Sequence, residues 1–437
     1  SLCPGNPAKS KVCPIVTNAD PDGENTMTPS EKMWLPYKWE LIVLLWFAFL
    51  FNMADRQAYN VVLPLLSKDL GLDPVQAGLV ASIFLWVYSV LVPIGGYLGD
   101  IARRKWVVFG SLLLWSVGTM LSGATTGLIG LIIFRSLATG GGEAFYFPSA
   151  NSLIGQYHQK TRALAMSIHQ TALYVGIIAS GFVAGWLGEK FGWRSAFFVF
   201  GAIGVVLALV MLWRMKDDRH TSEHIAQQQT KVPLPELLKA IATKPTVWAL
   251  WAAFSCFYFA QIGYITWMPT FLHEKFHLSL ANAGFSSMFY HHIFAAVGVL
   301  LGGKISDMLA IRRRTVRIEV ELIGLFFGAP FIFLMGITGN FWICCLGLAG
   351  FGLFRGIYDS NLYATLFDVI EPRFRSSAVG LMLAVVFFVR AFAPVVLGWA
   401  NTTIGLSYAL AALSLAYVVG ALVLFTGTAV EHLDLDD

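Results

Sequence analysis

Twelve stretches of mostly apolar residues, each long enough to cross a bilayer, run through this chain of 437 residues. A crossing needs about 20 such residues, and in hydrocarbon an isolated stretch satisfies its own backbone only as a helix. The stretches fall at roughly 39–66, 75–99, 106–125, 128–156, 162–187, 194–214, 246–272, 281–307, 315–337, 340–369, 376–400 and 404–428. Charged residues make up 13% of the chain, against about 25% in soluble domains, so a water-soluble fold of this length would lack polar surface. The expected fold is an all-α membrane protein with twelve transmembrane helices in two six-helix, pseudo-symmetric halves. A net charge of +4 is too modest to suggest a nucleic-acid partner.

One long polar stretch divides the spans. Residues 215–245 carry Lys216, Asp217, Asp218, Arg219, the triplet Gln227-Gln228-Gln229, Pro233 and Pro235, and read as a cytoplasmic linker. The expected units are a tail over 1–36, polar and without a secretory leader, a half over 37–214, the linker, a half over 246–428 and a tail over 429–437. With both termini inside, seventeen basic residues fall in cytoplasmic loops against four (Lys68, Lys190, Arg194, Lys275) outside. That excess orients the chain by the positive-inside rule and implies an integral protein of the cell (plasma or inner) membrane with cytoplasmic termini.

The two halves repeat a loop. Gly95-Gly96-Tyr97-Leu98-Gly99-Asp100 precedes Arg103-Arg104-Lys105, and Gly302-Gly303-Lys304-Ile305-Ser306-Asp307 precedes Arg312-Arg313-Arg314. Arg162 and Arg375 open the fifth and eleventh spans at an offset of 213 residues, close to the 207 between the two Asp loops. Duplicated halves are a common construction of secondary transporters.

At these residues the chain resembles the major facilitator superfamily over about residues 37 to 428. That family's loop between helices 2 and 3 is matched at Gly96, Asp100, Arg104 and Lys105. It departs at Ile101, where an Arg is expected, and at Arg103, where a Gly is. Four segments are similar to the anion:cation symporters and the spinster-like lipid transporters: Asn52-Met53-Ala54-Asp55-Arg56, Arg135 through Gly142-Glu143-Ala144, Arg162-Ala163-Leu164-Ala165-Met166, and Gly192-Trp193-Arg194. Arg135 and Glu143 sit eight residues apart, where seven is expected of the sugar-acid carriers. The resemblance implies alternating access, with a site between the halves.

Ionisable residues deep in a span cost about 2.5–3.5 kcal/mol each on insertion scales, so they need partners, a wet cavity or a function. Seven stand out: Asp55, Arg56, Arg135, Glu143, Arg355, Asp359 and Arg390. Four cations against three anions leave one positive charge, which suits a carboxylate gripped by a guanidinium fork. Asp55 and Glu143 are the expected proton carriers, and Arg56, Arg135 and Arg390 the expected anion ligands. His169, Gln170, Tyr174, Gln261, Tyr264, His291 and His292 are candidate cavity residues, with helix packing as the alternative for each. Arg355 and Asp359, four apart, form an intrahelical pair that neutralises itself or gates. Asp100, Arg104 and Asp307 are expected to latch one conformation rather than to bind substrate.

No enzyme motif appears, and neither a metal site nor a cofactor is expected. Cys344 and Cys345 are adjacent inside an apolar run and read as packing residues. The expected activity is proton-coupled symport of a small organic anion, a sugar acid or hydroxy-carboxylate, by a monomer in the lipid bilayer. A lysophospholipid or sphingoid-lipid transporter and an uncoupled exchanger or facilitator are the alternatives.

Overall fold

The computed structural model describes residues 36–216, 236, 244–310, 315–371 and 374–435. The tail over 1–35, most of the linker, and Arg312 to Arg314 lie outside the described residues. Twelve helices are long and apolar enough to span a membrane. They are α1 (Tyr37–Leu70), α2 (Pro74–Ile101), α3 (Arg104–Gly123), α4 (Leu128–Tyr157), α5 (Arg162–Phe191), α6 (Trp193–Arg214), α7 (Pro245–Phe276), α8 (Leu280–Ala310), α9 (Val316–Ile337), α10 (Phe341–Val369), α11 (Arg375–Arg390 and Ala393–Ile404) and α12 (Leu406–Leu435). The fold is therefore all-α, with twelve spans.

Short polar signals end the helices. Gly71 closes α1 in a left-handed conformation, and Asp73 caps α2 through a reciprocal capping box with Gln76, which satisfies two otherwise orphaned amides. Asn340 accepts from the backbone of Trp342 and Ile343 to start α10. Gly192 (φ 85°) and Gly405 (φ 81°) make the joints α5–α6 and α11–α12. These glycines are 213 residues apart, the same offset as Arg162 and Arg375. The halves thus share a backbone device as well as a loop.

Three spans depart from regular winding. Residues Ile132–Thr139 of α4 are wound as a π-helix. In α10 the helix ends at Asp359 and resumes at Leu362, and α11 is interrupted at Ala391 and Phe392. Each irregularity lies beside a buried arginine: Arg135, Arg355 and Arg390.

The two groups of six meet at the end of the bundle away from the termini. There α5 crosses α8 at Gly181 and Gly284, and α2 crosses α11 at Gly78, where a Cβ would run into the opposing backbone. Small residues permit such close approach. Glu189 at the end of α5 accepts from the Leu280 amide at the start of α8 (2.6 Å), and Ser82 of α2 accepts from the Val395 amide of α11 (3.1 Å). These contacts close that end of the central cavity.

Candidate substrate and proton site

A cavity of about 250 Å³ lies between the two groups of helices, with Arg56 and Arg135 on one side and Arg355 and Arg390 on the other. In helix α1, Asn52, Asp55, Arg56, Tyr59 and Asn60 follow the i, i+3, i+4 pattern of one broad face, with Gln57 at its edge also lining the cavity. Arg56 pairs through Nε with Glu143 Oε2 of α4. Its guanidinium carbon lies 4.3 Å from the centre of the Tyr88 ring.

Arg135 is 4% exposed and, among the described residues, has no carboxylate at ion-pair distance. It lies over Phe84 (4.4 Å) and donates through Nη2 to the Arg56 carbonyl (3.3 Å). Its Nε and Nη1 have no hydrogen-bond partner among the described residues. Asp55, fully enclosed, accepts from the Thr119 hydroxyl at Oδ2 (3.3 Å), while Oδ1 has no hydrogen-bond partner within 3.5 Å among the described residues. Asp55 is close enough to Glu143 and Arg135 for their charges to act on it. Two acids and two arginines thus share one desolvated pocket behind the cavity wall.

Eight residues separate Arg135 from Glu143, and at about 100° per residue an α-helix would leave them roughly 80° apart. The π-helical turn between them takes up the extra residue, because each i→i+5 ring holds one residue more than an α turn. Both side chains therefore reach the same cluster.

On the opposite side, Arg355 pairs with Asp359 (3.1 Å) and approaches His291 Nε2 (3.4 Å). With its amide oxygen turned inward, Gln261 accepts from Arg355 Nη2 (2.8 Å) and Nε (3.2 Å). Arg390 is 7% exposed and lies 3.7 Å over the Phe387 ring, its other neighbour being Tyr258 at 5.3 Å. Its Nε has no partner among the described residues, and Arg56 lies across the cavity from it. Arg56 and Arg390 thus face each other across the cavity, Arg56 paired with Glu143.

The expected site residues divide. Arg56, Arg135, Gln261, His292, Arg355 and Arg390 line the cavity. Tyr174 lies beside it, with its ring edge-on to His292 at 6.2 Å, and is 39% exposed. Three others are placed in packing instead. Tyr264 donates its hydroxyl to the Ser287 carbonyl, and its ring lies 4.6 Å from that of His291, which is itself held against Phe351. His169 stacks on Phe49 at 4.7 Å and meets the Tyr146 hydroxyl. Gln170 points to an exposed face of α5.

Of the expected latch, Arg104 donates to Gln156 of α4 (2.9 Å), and the side chain of Asp100 lies outside the described residues. Asp307 is 3.8 Å from Arg317, which also grips both oxygens of Asp368 (2.9 and 2.7 Å). This network joins α8, α9 and α10. Among the described residues, no group of three or more His, Cys, Asp or Glu could hold a metal.

Four contributors escaped the sequence reading. Gln57, Asn60 and Tyr258 line the cavity as uncharged polar residues, which span composition does not single out. Glu321 is a fully buried carboxylate in α9 whose Oε1 accepts from Thr365 (2.6 Å). Its neighbours Arg317 and Glu319 make it look like one more charge at a helix end.

Twelve spans arranged around a central charged cavity closed at one end define a membrane transporter. The chain belongs to the Major Facilitator Superfamily, whose family model matches residues 45–332. It is 27% identical over 369 residues to the Arabidopsis thaliana "Sodium-dependent phosphate transport protein 1, chloroplastic", covering 79% of this chain and 70% of that protein. It is 29% identical over 305 residues to a "Probable galactarate/D-glucarate transporter" of Escherichia coli (strain K12), covering 64% of this chain and 68% of that one. In structure it is similar to a bacterial homologue of the human lysosomal transporter Spinster in an inward-facing, unoccupied conformation. That likeness has a TM-score of 0.77 at 20% identity over 90% of this chain and 97% of the other, and it speaks to the fold alone. The protein is thus an integral membrane transporter whose relatives include carriers of anions.

Proposed function

We propose that the protein carries a small organic anion together with protons across the cell (plasma or inner) membrane, as a monomer with both termini in the cytoplasm. The observation that supports this reading most is the charge balance of the cavity. With Asp55 and Glu143 ionised, Arg56 and Arg135 are neutralised, Arg355 is matched by Asp359, and Arg390 is left over. Each proton taken by Asp55 or Glu143 adds one positive charge to the pocket. An anion entering between Arg56, Arg135 and Arg390 removes one. The two events therefore favour each other, reciprocally in free energy.

In this reading Arg135 and Arg390, which line the cavity, grip the carboxylate. Arg56 exchanges Glu143 for substrate, and the released Glu143 takes a proton with Asp55 as its neighbour. The six-helix halves over 37–214 and 246–428, joined by the linker 215–245, rock about the site. Closure at the end away from the termini is then the inward-facing state. Asp307, with Arg317 and Asp368, is assigned to the cytoplasmic gate, as are Asp100 and Arg104.

The glucarate relatives in Escherichia coli and Bacillus subtilis support a sugar-acid form of the reading. The spinster-like fold supports a lipid form, but the cavity of about 250 Å³ falls below the roughly 300–1,000 Å³ that encloses drug-sized ligands, so it favours a small solute.

Purified protein in weakly buffered detergent solution, mixed with a binding anion, tests the coupling. The expected result is proton uptake from solution upon binding, abolished in the Asp55→Asn, Glu143→Gln double variant. Anion binding without any proton uptake would remove the coupling role from both carboxylates.

A further inference from the structure

Given the anion reading above, the cavity holds a second kind of group beside its charges. The guanidiniums of Arg56, Arg135, Arg355 and Arg390 line it and can only donate hydrogen bonds. A carboxylate suits them, since it only accepts. Two other residues on the walls accept instead, and a carboxylate has nothing to give them.

His292 of α8 is bonded through Nδ1 to the Met288 carbonyl (2.9 Å). A carbonyl oxygen has no hydrogen to give, so Nδ1 carries the hydrogen, and in the neutral ring Nε2 is left as a lone pair. A second ring hydrogen would put a further cation among the guanidiniums, which like-charge repulsion opposes. On the other wall, Asn60 of α1 lies one turn after Arg56 and donates through Nδ2 to Gln57 Oε1 (3.2 Å), so that Oδ1 is its acceptor. Neither His292 Nε2 nor Asn60 Oδ1 has a hydrogen-bond partner among the described residues, and both side chains line the cavity, the residues being 2% and 8% exposed. The Gln261 oxygen, by contrast, is taken by Arg355, and the Tyr258 hydroxyl can donate or accept.

A ligand that fills the cavity displaces the water these acceptors would otherwise bond. An anion with no hydrogen to give leaves both unsatisfied in a desolvated place, which costs free energy. An ammonium group would satisfy them but meets the guanidiniums. A hydroxyl satisfies them and carries no charge.

We infer that His292 and Asn60 are specificity residues of the site and select a carboxylate bearing hydroxyls over the same carbon skeleton without them. The carboxylate meets the guanidiniums, one hydroxyl donates to His292 Nε2 in the second half, and another donates to Asn60 Oδ1 in the first.

Thermal stabilisation of the purified protein, titrated with D-gluconate and with hexanoate, tests the assignment. The two anions share one carbon skeleton and differ only in hydroxyls, and a ligand that binds the folded state raises its melting temperature. Half-maximal stabilisation by D-gluconate should fall at a concentration at least about tenfold below that for hexanoate, because a site built to bond hydroxyls rejects the analogue lacking them. His292→Phe should weaken D-gluconate about tenfold and leave hexanoate unchanged. His292→Gln, which returns an acceptor near the place of Nε2, should recover most of the preference. Asn60→Ala should narrow the gap in the same way from the other wall. A merely structural role for either residue would weaken both anions alike. Equal concentrations for the two anions in the wild type, or an unchanged gap in both His292→Phe and Asn60→Ala, overturns the specificity assignment and leaves the anion reading standing. Stabilisation by neither anion, or a response of Arg135→Gln equal to that of the wild type, overturns the anion reading itself.

Discussion

Among the described residues, Arg135 and Arg390 have no carboxylate at ion-pair distance, while Arg56 has Glu143 and Arg355 has Asp359. Their positive charge is tolerated because aromatic faces cover them, Phe84 for Arg135 and Phe387 for Arg390, a contribution of about 0.5–2 kcal/mol each. Both residues line the central cavity. Replacing Arg135 by Lys keeps the charge and removes the fork. Losing a charge-assisted hydrogen bond of about 1.5–3 kcal/mol should weaken anion binding at least tenfold in a titration, with the melting temperature of the unliganded protein little changed. Glu321 makes the contrasting case. Its hydrogen bond to Thr365 needs an acceptor rather than a charge, so Glu321→Gln should leave stability within about 1 kcal/mol of wild type and transport intact. A collapse of transport in that variant would give Glu321 a role in the cycle. The sequence exposed the charged members of the site because charges in spans are rare. It could not rank the histidines and tyrosines, whose residue types serve packing and binding alike: Tyr264 and His169 went to packing, and His292 to the cavity wall.

At the scale of elements, the spans were legible because length and apolarity alone mark them, while their ends were less so: the first and fifth run on to Leu70 and Phe191, past the 66 and 187 where the apolar stretches stop. The irregular windings were not. Nothing in the residues from Ile132 to Thr139 announces a π-helix, although the eight-residue spacing of Arg135 and Glu143 is its consequence. Deleting the exposed Leu137 should restore regular winding and a seven-residue spacing. The deletion variant should purify as a folded protein that still binds the anion, and aggregation would show that the π turn is required for packing. Gly181 and Gly284 carry the opposite kind of constraint, since the crossing of α5 and α8 leaves no room for a side chain. Gly284→Val should penalise the state closed at that end by about 1–3 kcal/mol, an order of magnitude in population. Thiol labelling of a Gln57→Cys reporter from the outer side of reconstituted vesicles should rise accordingly. Unchanged labelling would mean that the crossing does not control access.

The whole molecule repeats itself at an offset of 213 residues, in Arg162 and Arg375 and again in Gly192 and Gly405, yet its two halves bear different loads. The first half holds Asp55 and Glu143 beside Arg56 and Arg135, the groups assigned to protons. The second holds Arg355 and Asp359 as a closed pair, with Arg390 facing across. Coupling in this account needs both, because the anion bridges the halves while the proton stays in one. The twelve-helix architecture followed from composition and duplication. The division of labour did not, because it depends on which guanidinium meets which carboxylate across helices far apart in sequence. The most direct test is anion uptake into proteoliposomes under an imposed inward proton gradient. The account predicts that a labelled carboxylate accumulates above its external concentration, that a protonophore abolishes the accumulation, and that Asp55→Asn retains exchange while losing it. Equilibration of the anion to the same level with and without the gradient would contradict proton coupling and return Asp55 and Glu143 to a structural role.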